Sequence, residues 1–149
     1  MGLDNLQLVA ADLLEWKAGP VPYDYIVAHG FYSWVPDFVR ERLLALCDQA
    51  MAPAGIAYVS YNALPGCHIR RMVRDMMRFH VRDLDTPERR TAQGRALAGF
   101  LAGAIPDSNP LYRKLLEGEM ERIGKLSDEV LLHDDLSELN EAFYFHEVV

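Results

Sequence analysis

Basic residues, cysteines and long apolar runs are all scarce in this chain, and each scarcity removes a class of function. Fifteen lysines and arginines face 22 aspartates and glutamates, giving a net charge of −7 over 149 residues. A nucleic-acid binder needs a basic surface, and docking on an acidic membrane needs a polybasic patch, so neither partner is expected. No apolar run approaches the ~20 residues of a membrane span. The opening Met1-Gly2-Leu3-Asp4-Asn5-Leu6 lacks the basic and apolar regions of a signal peptide, so the default expectation is the cytoplasm. The two cysteines, Cys47 and Cys67, have no metal-ligand spacing and form no disulfide framework. They read as buried, reduced thiols. No Gly-x-Ser-x-Gly elbow is present, so nothing argues for a hydrolase. His133, Asp134, Asp135, His146 and Glu147 are metal ligands by type, yet their spacing matches no strong motif and no metal is expected. Asp134 or Asp135 better suits a helix cap.

Half of the residues are hydrophobic and a quarter are charged, the balance of a globular chain with a real core. The pattern changes near Asn62. Before it, strand-like and helical segments alternate. Residues 6–10 are short and apolar, which suits a strand. Tyr23-Asp24-Tyr25-Ile26-Val27-Ala28 reads as a second strand ending at His29-Gly30, where glycine permits a sharp turn. Pro36 and Asp37 fit a helix start. Val39, Leu43, Leu46, Cys47 and Ala50 then share one face, and Pro53-Ala54-Gly55 stops the helix. Residues 56–61 read as a third strand. Strand, strand, helix, strand indicates an α/β unit with a parallel sheet.

After Asn62 nearly everything is helical. A helix is expected over residues 67–84, with Ile69, Met72, Val73, Met76 and His80 on one side. Thr86-Pro87-Glu88 supplies a cap, a first-turn proline and an acid for a helix reaching about Ala104. Asn109-Pro110 starts another, with Leu111, Leu115, Met120 and Ile123 facing inward and Gly124 at its end. The tail reads as a short helical turn and then an extended aromatic stretch around Phe143-Tyr144-Phe145.

Three segments are distinctive: residues 23–36, from Tyr23-Asp24-Tyr25 through His29-Gly30-Phe31-Tyr32-Ser33-Trp34-Val35-Pro36; Ala57-Tyr58-Val59-Ser60-Tyr61-Asn62 with Pro65-Gly66-Cys67-His68; and Asn140 with Tyr144-Phe145-His146-Glu147. Together they resemble the bacterial class I S-adenosylmethionine-dependent methyltransferases that carry a methyltransferase regulatory domain, some of which are similar to protein-lysine methyltransferases. The resemblance covers nearly the whole chain. It implies an α/β fold: a partial Rossmann-like methyltransferase sheet of three strands in residues 1–64, then an α-helical regulatory region in residues 65–149.

In that family the cofactor sits at the carboxyl ends of a doubly wound sheet. Asp12 stands where the resemblance implies an adenine-binding acid, with Leu13 beside it. Ala28, His29 and Gly30 stand at the end of the fourth strand, next to the reacting methyl group. Nothing matches the family's first two strands or their glycine-rich loop, so the chain is expected to be truncated at both ends. Methyl transfer needs donor and acceptor held in line. Alone, the chain is therefore expected to bind S-adenosylmethionine weakly or not at all and to be inactive. Losing the strands between the third and fourth also leaves a bare sheet edge. A rearranged sheet, a strand-exchanged homodimer or disorder near residue 1 is the expected consequence.

Each candidate residue also has a plainer reading. Asp12 is either an adenine ligand or a turn-forming aspartate. His29 either positions an acceptor, accepts a proton, or is a hydrogen-bonded histidine shaping its loop. Tyr32, Tyr61 and Asn62 would line a substrate cleft, while Trp34 reads as packing. Arg70, Arg74, Arg78 and Arg82 recur every four residues, as a solvated helix face or as a docking stripe for an acidic partner. The rival to a methyltransferase fragment acting on a protein substrate is a non-catalytic regulatory or protein-binding module that assembles through the exposed sheet edge.

Overall fold

The computed structural model describes residues 3–106 and 108–149, and its contacts divide the chain into two compact units, Met1–Tyr61 and Asn62–Val149. Among the described residues no helix is long and apolar enough to cross a membrane.

The first unit is built on β1 (Tyr23–Ala28), α1 (Asp37–Ala50) and β2 (Met51–Val59). The two strands pair in parallel, with Tyr25 opposite Ile56 and Ala28 opposite Val59. A helix between parallel neighbours is what that geometry requires, since a tight turn cannot reverse a parallel pair. Pro36, extended at φ −64° and ψ 159°, ends the incoming chain at the N-cap of α1, and Asp37 lies in its first turn. Leu43, Leu46, Cys47 and Ala50 are buried, as their spacing predicts, and burial pushes the Cys47 thiol pKa up. Val39 is only half-buried, and the neighbouring Arg40 is buried instead.

Two sequence expectations fail in this unit. Residues 6–10 form no strand: Leu6, Leu8 and Val9 lie in irregular backbone with 59%, 88% and 61% of their surface exposed. An apolar run becomes a strand only when a neighbour takes up its N–H and C=O groups, and among the described residues none pairs with this one. The sheet therefore has two strands, not the three expected. Pro53-Ala54-Gly55 does not stop the helix either, because β2 has already begun at Met51. The three residues lie instead where the register slips, between the Tyr23–Met51 and Tyr25–Ile56 pairs. Proline, with no N–H to give a ladder, belongs at such an irregularity. Gly55 fits because a Cβ there would lie 3.0 Å from the Tyr23 carbonyl oxygen and 2.5 Å from Met51 Cγ.

Register also reveals an uncovered face. Partners in the ladder share a side of the sheet, and alternate residues do too. Tyr25, Val27, Ile56 and Tyr58 thus lie on one face, and they are 74%, 68%, 60% and 52% exposed. Parallel sheets normally bury both faces. This one keeps one face open.

The second unit is a cluster of helices: α2 (His68–His80), α3 (Pro87–Ala104), α4 (Pro110–Lys125) and the short α5 (Asp128–Val130), which runs on into a π-helical turn, Leu131–Asp135. Val73, Met77, Val81, Ala98, Leu116, Ile123, Leu131 and Leu136 form its core. α4 is rotated relative to the expectation. Leu111 and Leu115 are 70% and 38% exposed, whereas Leu116 and Ile123 are buried, with Tyr112 and Met120 packed beside the core. The inward stripe runs 112, 116, 120, 123, as good a helical spacing as the one expected. A two-residue ladder, β3 (Asn62–Ala63) with β4 (Ala142–Phe143), ties the tail to the start of this unit. Beyond it the expected extended stretch coils into a 3₁₀ turn at Phe145–Glu147.

Candidate functional site

The carboxyl ends of β1 and β2 lie side by side, the position at which open α/β sheets bind their ligands. The ladder continues past β2, with Ser60 N–H donating to the Ala28 carbonyl at 3.0 Å. The chain leaves β1 through His29 and Gly30. Gly30 adopts φ 62°, the left-handed region that glycine enters without a Cβ penalty, and its N–H donates to Ser60 Oγ at 2.8 Å. The same Oγ lies 3.2 Å from His29 Nδ1. The imidazole stacks beside the Tyr58 ring, with centroids 6.1 Å apart and planes at 26°. His29 is thus an exposed side chain fixed from two sides, by a hydroxyl and by a ring.

Tyr32 and Tyr61 come together next to these strand ends, with ring centroids 6.1 Å apart. Tyr32, however, is only 5% exposed, which leaves it little surface to offer a substrate. Burial raises its phenol pKa, partly countered by the Arg40 guanidinium 5.8 Å from its ring centroid. Arg40 in turn donates to the Tyr32 carbonyl at 2.9 Å and pairs with Asp37 at 2.5 Å. Tyr32 therefore anchors the loop after β1 to α1.

Asp12 makes a turn. Its Oδ1 accepts from Leu14 N–H at 2.9 Å, and its carbonyl accepts from Glu15 and Trp16 N–H at 3.1 and 2.8 Å. Its neighbour Leu13 lines an apolar cavity of about 350 Å³ with Trp16, Tyr25, Ile26, Leu43 and Cys47. Asn62 lies in the other unit, where its Nδ2 donates to Asn140 Oδ1 at 2.7 Å and Asn140 donates onward to the Asp134 carbonyl. His68 Nε2 is likewise 3.1 Å from the Tyr144 hydroxyl, and Tyr144 stacks on His146. The distinctive sequence segments around residues 62–68 and 140–147 are therefore partners in space.

The arginine stripe on α2 is not simply solvated. Arg74 is buried and donates to the Ser137 carbonyl at 2.6 Å. Arg70 reaches Asp134 and Asp135, while Arg82 lies past the end of α2 and pairs with its exposed neighbour Asp83. Asp135 caps nothing: fully buried, it takes Arg70 on one side and a two-pronged Arg122 on the other. Among the described residues no group of histidine, cysteine or acidic side chains is arranged to hold a metal. From the sequence, Asp135 stands only as a metal ligand by type or a helix cap, and Ser60 only as part of a strand; the ion-pair role of the first and the His29 contact of the second are missed. Ser60 directly follows β2 only because that strand ends at Val59, short of the expected 61, and the arginine partners of Asp135 lie too far along the chain to leave a local signal.

No family model matches the chain. It is 37% identical over 147 residues to the uncharacterized protein RP789 of Rickettsia prowazekii, covering 99% of this chain and 27% of that protein. The uncharacterized RP028 of the same organism is 33% identical over 147 residues, with 99% of this chain and 59% of that protein covered. Among solved structures, PKMT2 from Rickettsia typhi, a protein-lysine methyltransferase, superimposes with a TM-score of 0.82 at 34% identity, over 99% of this chain and 27% of that one. Its complex with AdoHcy gives 0.80 at 35% identity, over 97% and 27%. The chain thus spans between about a quarter and three-fifths of the length of these relatives. It carries part of a methyltransferase-like α/β fold.

Proposed function

We propose that this chain contributes the fourth and fifth strands and the helical regulatory region of an S-adenosylmethionine-dependent methyltransferase, whose whole protein methylates lysine side chains of proteins. The observation that carries the reading is the likeness to PKMT2 over nearly every residue, including its AdoHcy complex. Two features of the chain support it independently. His29 sits at the strand ends where such a ligand belongs. The open face of Tyr25, Val27, Ile56 and Tyr58 is the kind that a doubly wound fold covers with more structure.

The residues present do not by themselves fit S-adenosylmethionine. Asp12 commits an oxygen to its own turn, and the Leu13 cavity is apolar. Among the described residues no strand leads into a glycine-rich loop that could receive the methionine end. In this reading those groups belong to the part of the relatives' length that the chain does not span. Titrating AdoHcy into this chain in a calorimeter is expected to give no binding heat, and micromolar binding would refute the assignment of the donor site elsewhere. Grafting the chain in place of the matching segment of Rickettsia typhi PKMT2 is expected to preserve methyl transfer to a lysine-bearing protein. A folded graft with no transfer rejects the reading.

A second reading concerns the chain on its own. Among the described residues β1 pairs on one side only, and its other edge runs beside two exposed apolar side chains, Tyr25 and Val27. Every copy presents the same edge, so the occupant that fits is a second copy, joined about a twofold axis. Light scattering is expected to show an apparent mass that rises with concentration. Val27→Lys, which puts a charge on the open face beside that edge, is expected to return the monomer. A monomer at all concentrations excludes the second copy.

A further inference from the structure

Among the described residues, Ser60 is the group in hydrogen-bonding contact with His29. Its Oγ accepts from Gly30 N–H at 2.8 Å. That N–H is held in place because Gly30 stands in the left-handed region and Ser60 N–H is already bonded to the Ala28 carbonyl. With one lone pair used, the hydroxyl still has its proton to donate. Among the described residues the acceptor within reach is His29 Nδ1, at 3.2 Å. A neutral imidazole has one N–H and one bare nitrogen, and a donor placed on Nδ1 selects the form with the proton on Nε2. The Tyr58 ring lies beside the imidazole at 26°, with centroids 6.1 Å apart.

We infer that Ser60 is a positioning residue for His29: it holds the imidazole with Nδ1 bare and engaged, and so makes His29 a hydrogen-bond donor through Nε2–H. Nε2 meets no partner among the described residues, and the side chain is exposed. The group it would meet is an acceptor oxygen, a peptide carbonyl or a carboxylate of the protein being modified. A proton acceptor is the opposite role, because in the neutral ring the only bare nitrogen is already taken by Ser60. The identity of the acceptor oxygen rests on the methyltransferase reading above. The tautomer does not, so the two fail separately.

The chain itself serves for the test, labelled with ¹⁵N-histidine and observed at a pH about two units above the ordinary histidine pKa of ~6.5. Long-range proton–nitrogen spectra report which ring nitrogen carries hydrogen. His29 is expected to show a bare Nδ1 shifted by its hydrogen bond and a protonated Nε2. Ser60→Ala is expected to move the Nδ1 resonance toward that of a free imidazole averaging between its forms, and Ser60→Thr, which keeps the hydroxyl, to restore it. Backbone amide spectra of both variants identify any loss of fold, and the threonine variant still decides the matter if the alanine variant unfolds. A proton on Nδ1 in the unaltered chain overturns the inference. So do ring shifts indifferent to Ser60→Ala in a folded protein, or a folded Ser60→Thr chain without the bare, hydrogen-bonded Nδ1.

Discussion

Replacing Asp135 with alanine is expected to destabilise the helical unit by about 3–5 kcal/mol, the usual cost of breaking a buried ion pair from one side. The carboxylate is 0% exposed and meets two cations. Arg122 grips it with both prongs, Nη2 to Oδ1 at 2.9 Å and Nη1 to Oδ2 at 3.1 Å, and Arg70 Nε adds a third bond at 3.1 Å. Burial disfavours the charged form of Arg122, yet hydrogen bonds with Asp135 and with Glu119 outweigh it, and its pKa is raised. Remove the carboxylate, and two guanidinium groups face each other across a space that held their counter-charge. Asp135→Asn keeps the shape and one acceptor oxygen but not the charge, so an intermediate loss is expected. Arg82→Ala supplies the contrast. Its partner Asp83 is adjacent and both are exposed, so that change is expected to fall within about 0.5 kcal/mol of zero. Urea unfolding followed by far-ultraviolet circular dichroism measures all three. An Asp135→Ala loss below about 1 kcal/mol would mean that the arginines rehydrate freely and that the cluster is not what closes this unit.

That cluster also marks the limit of what can be read along the chain. Helix starts were legible because a cap is a local object: Thr86 Oγ1 accepts from Arg89 N–H three residues on, and Asn109 Oδ1 does the same for Tyr112. The four-residue recurrence of Arg70, Arg74, Arg78 and Arg82 was equally visible, yet it carries no trace of Asp135, which lies 65 residues from Arg70. The face of α4 went wrong for a related reason. Leu111, Leu115 and Leu116 are alike in hydropathy, and only packing against Met77 and its neighbours selects 116 for the core. Residues 6–10 failed because β-propensity describes a fit to a neighbouring strand, and here there is none. In the candidate site, His29 beside Gly30 was visible as a strand-end pair. Its bond to Ser60 spans 31 residues and exists only because β1 and β2 end together.

The role assigned to His29 predicts an unequal response to two substitutions, read in the PKMT2 graft so that a complete enzyme is assayed. His29→Ala is expected to lower kcat/KM by about 10- to 100-fold, the range of one lost hydrogen bond to a neutral or charged acceptor oxygen. His29→Gln places an amide N–H at a similar reach and, unlike imidazole, has no titrating nitrogen. If the imidazole donates, glutamine recovers most of the alanine loss, and the recovered activity is flat with pH through the histidine range. If it takes a proton from the acceptor amine instead, glutamine is as poor as alanine, and the unaltered graft loses activity as pH falls through the histidine pKa. The open position of His29, stacked on Tyr58 and bonded through Nδ1 alone, makes the first outcome the expected one. Because neither variant touches the core of either unit, matching unfolding curves are expected for both grafts, and the rates then report the site and not the fold.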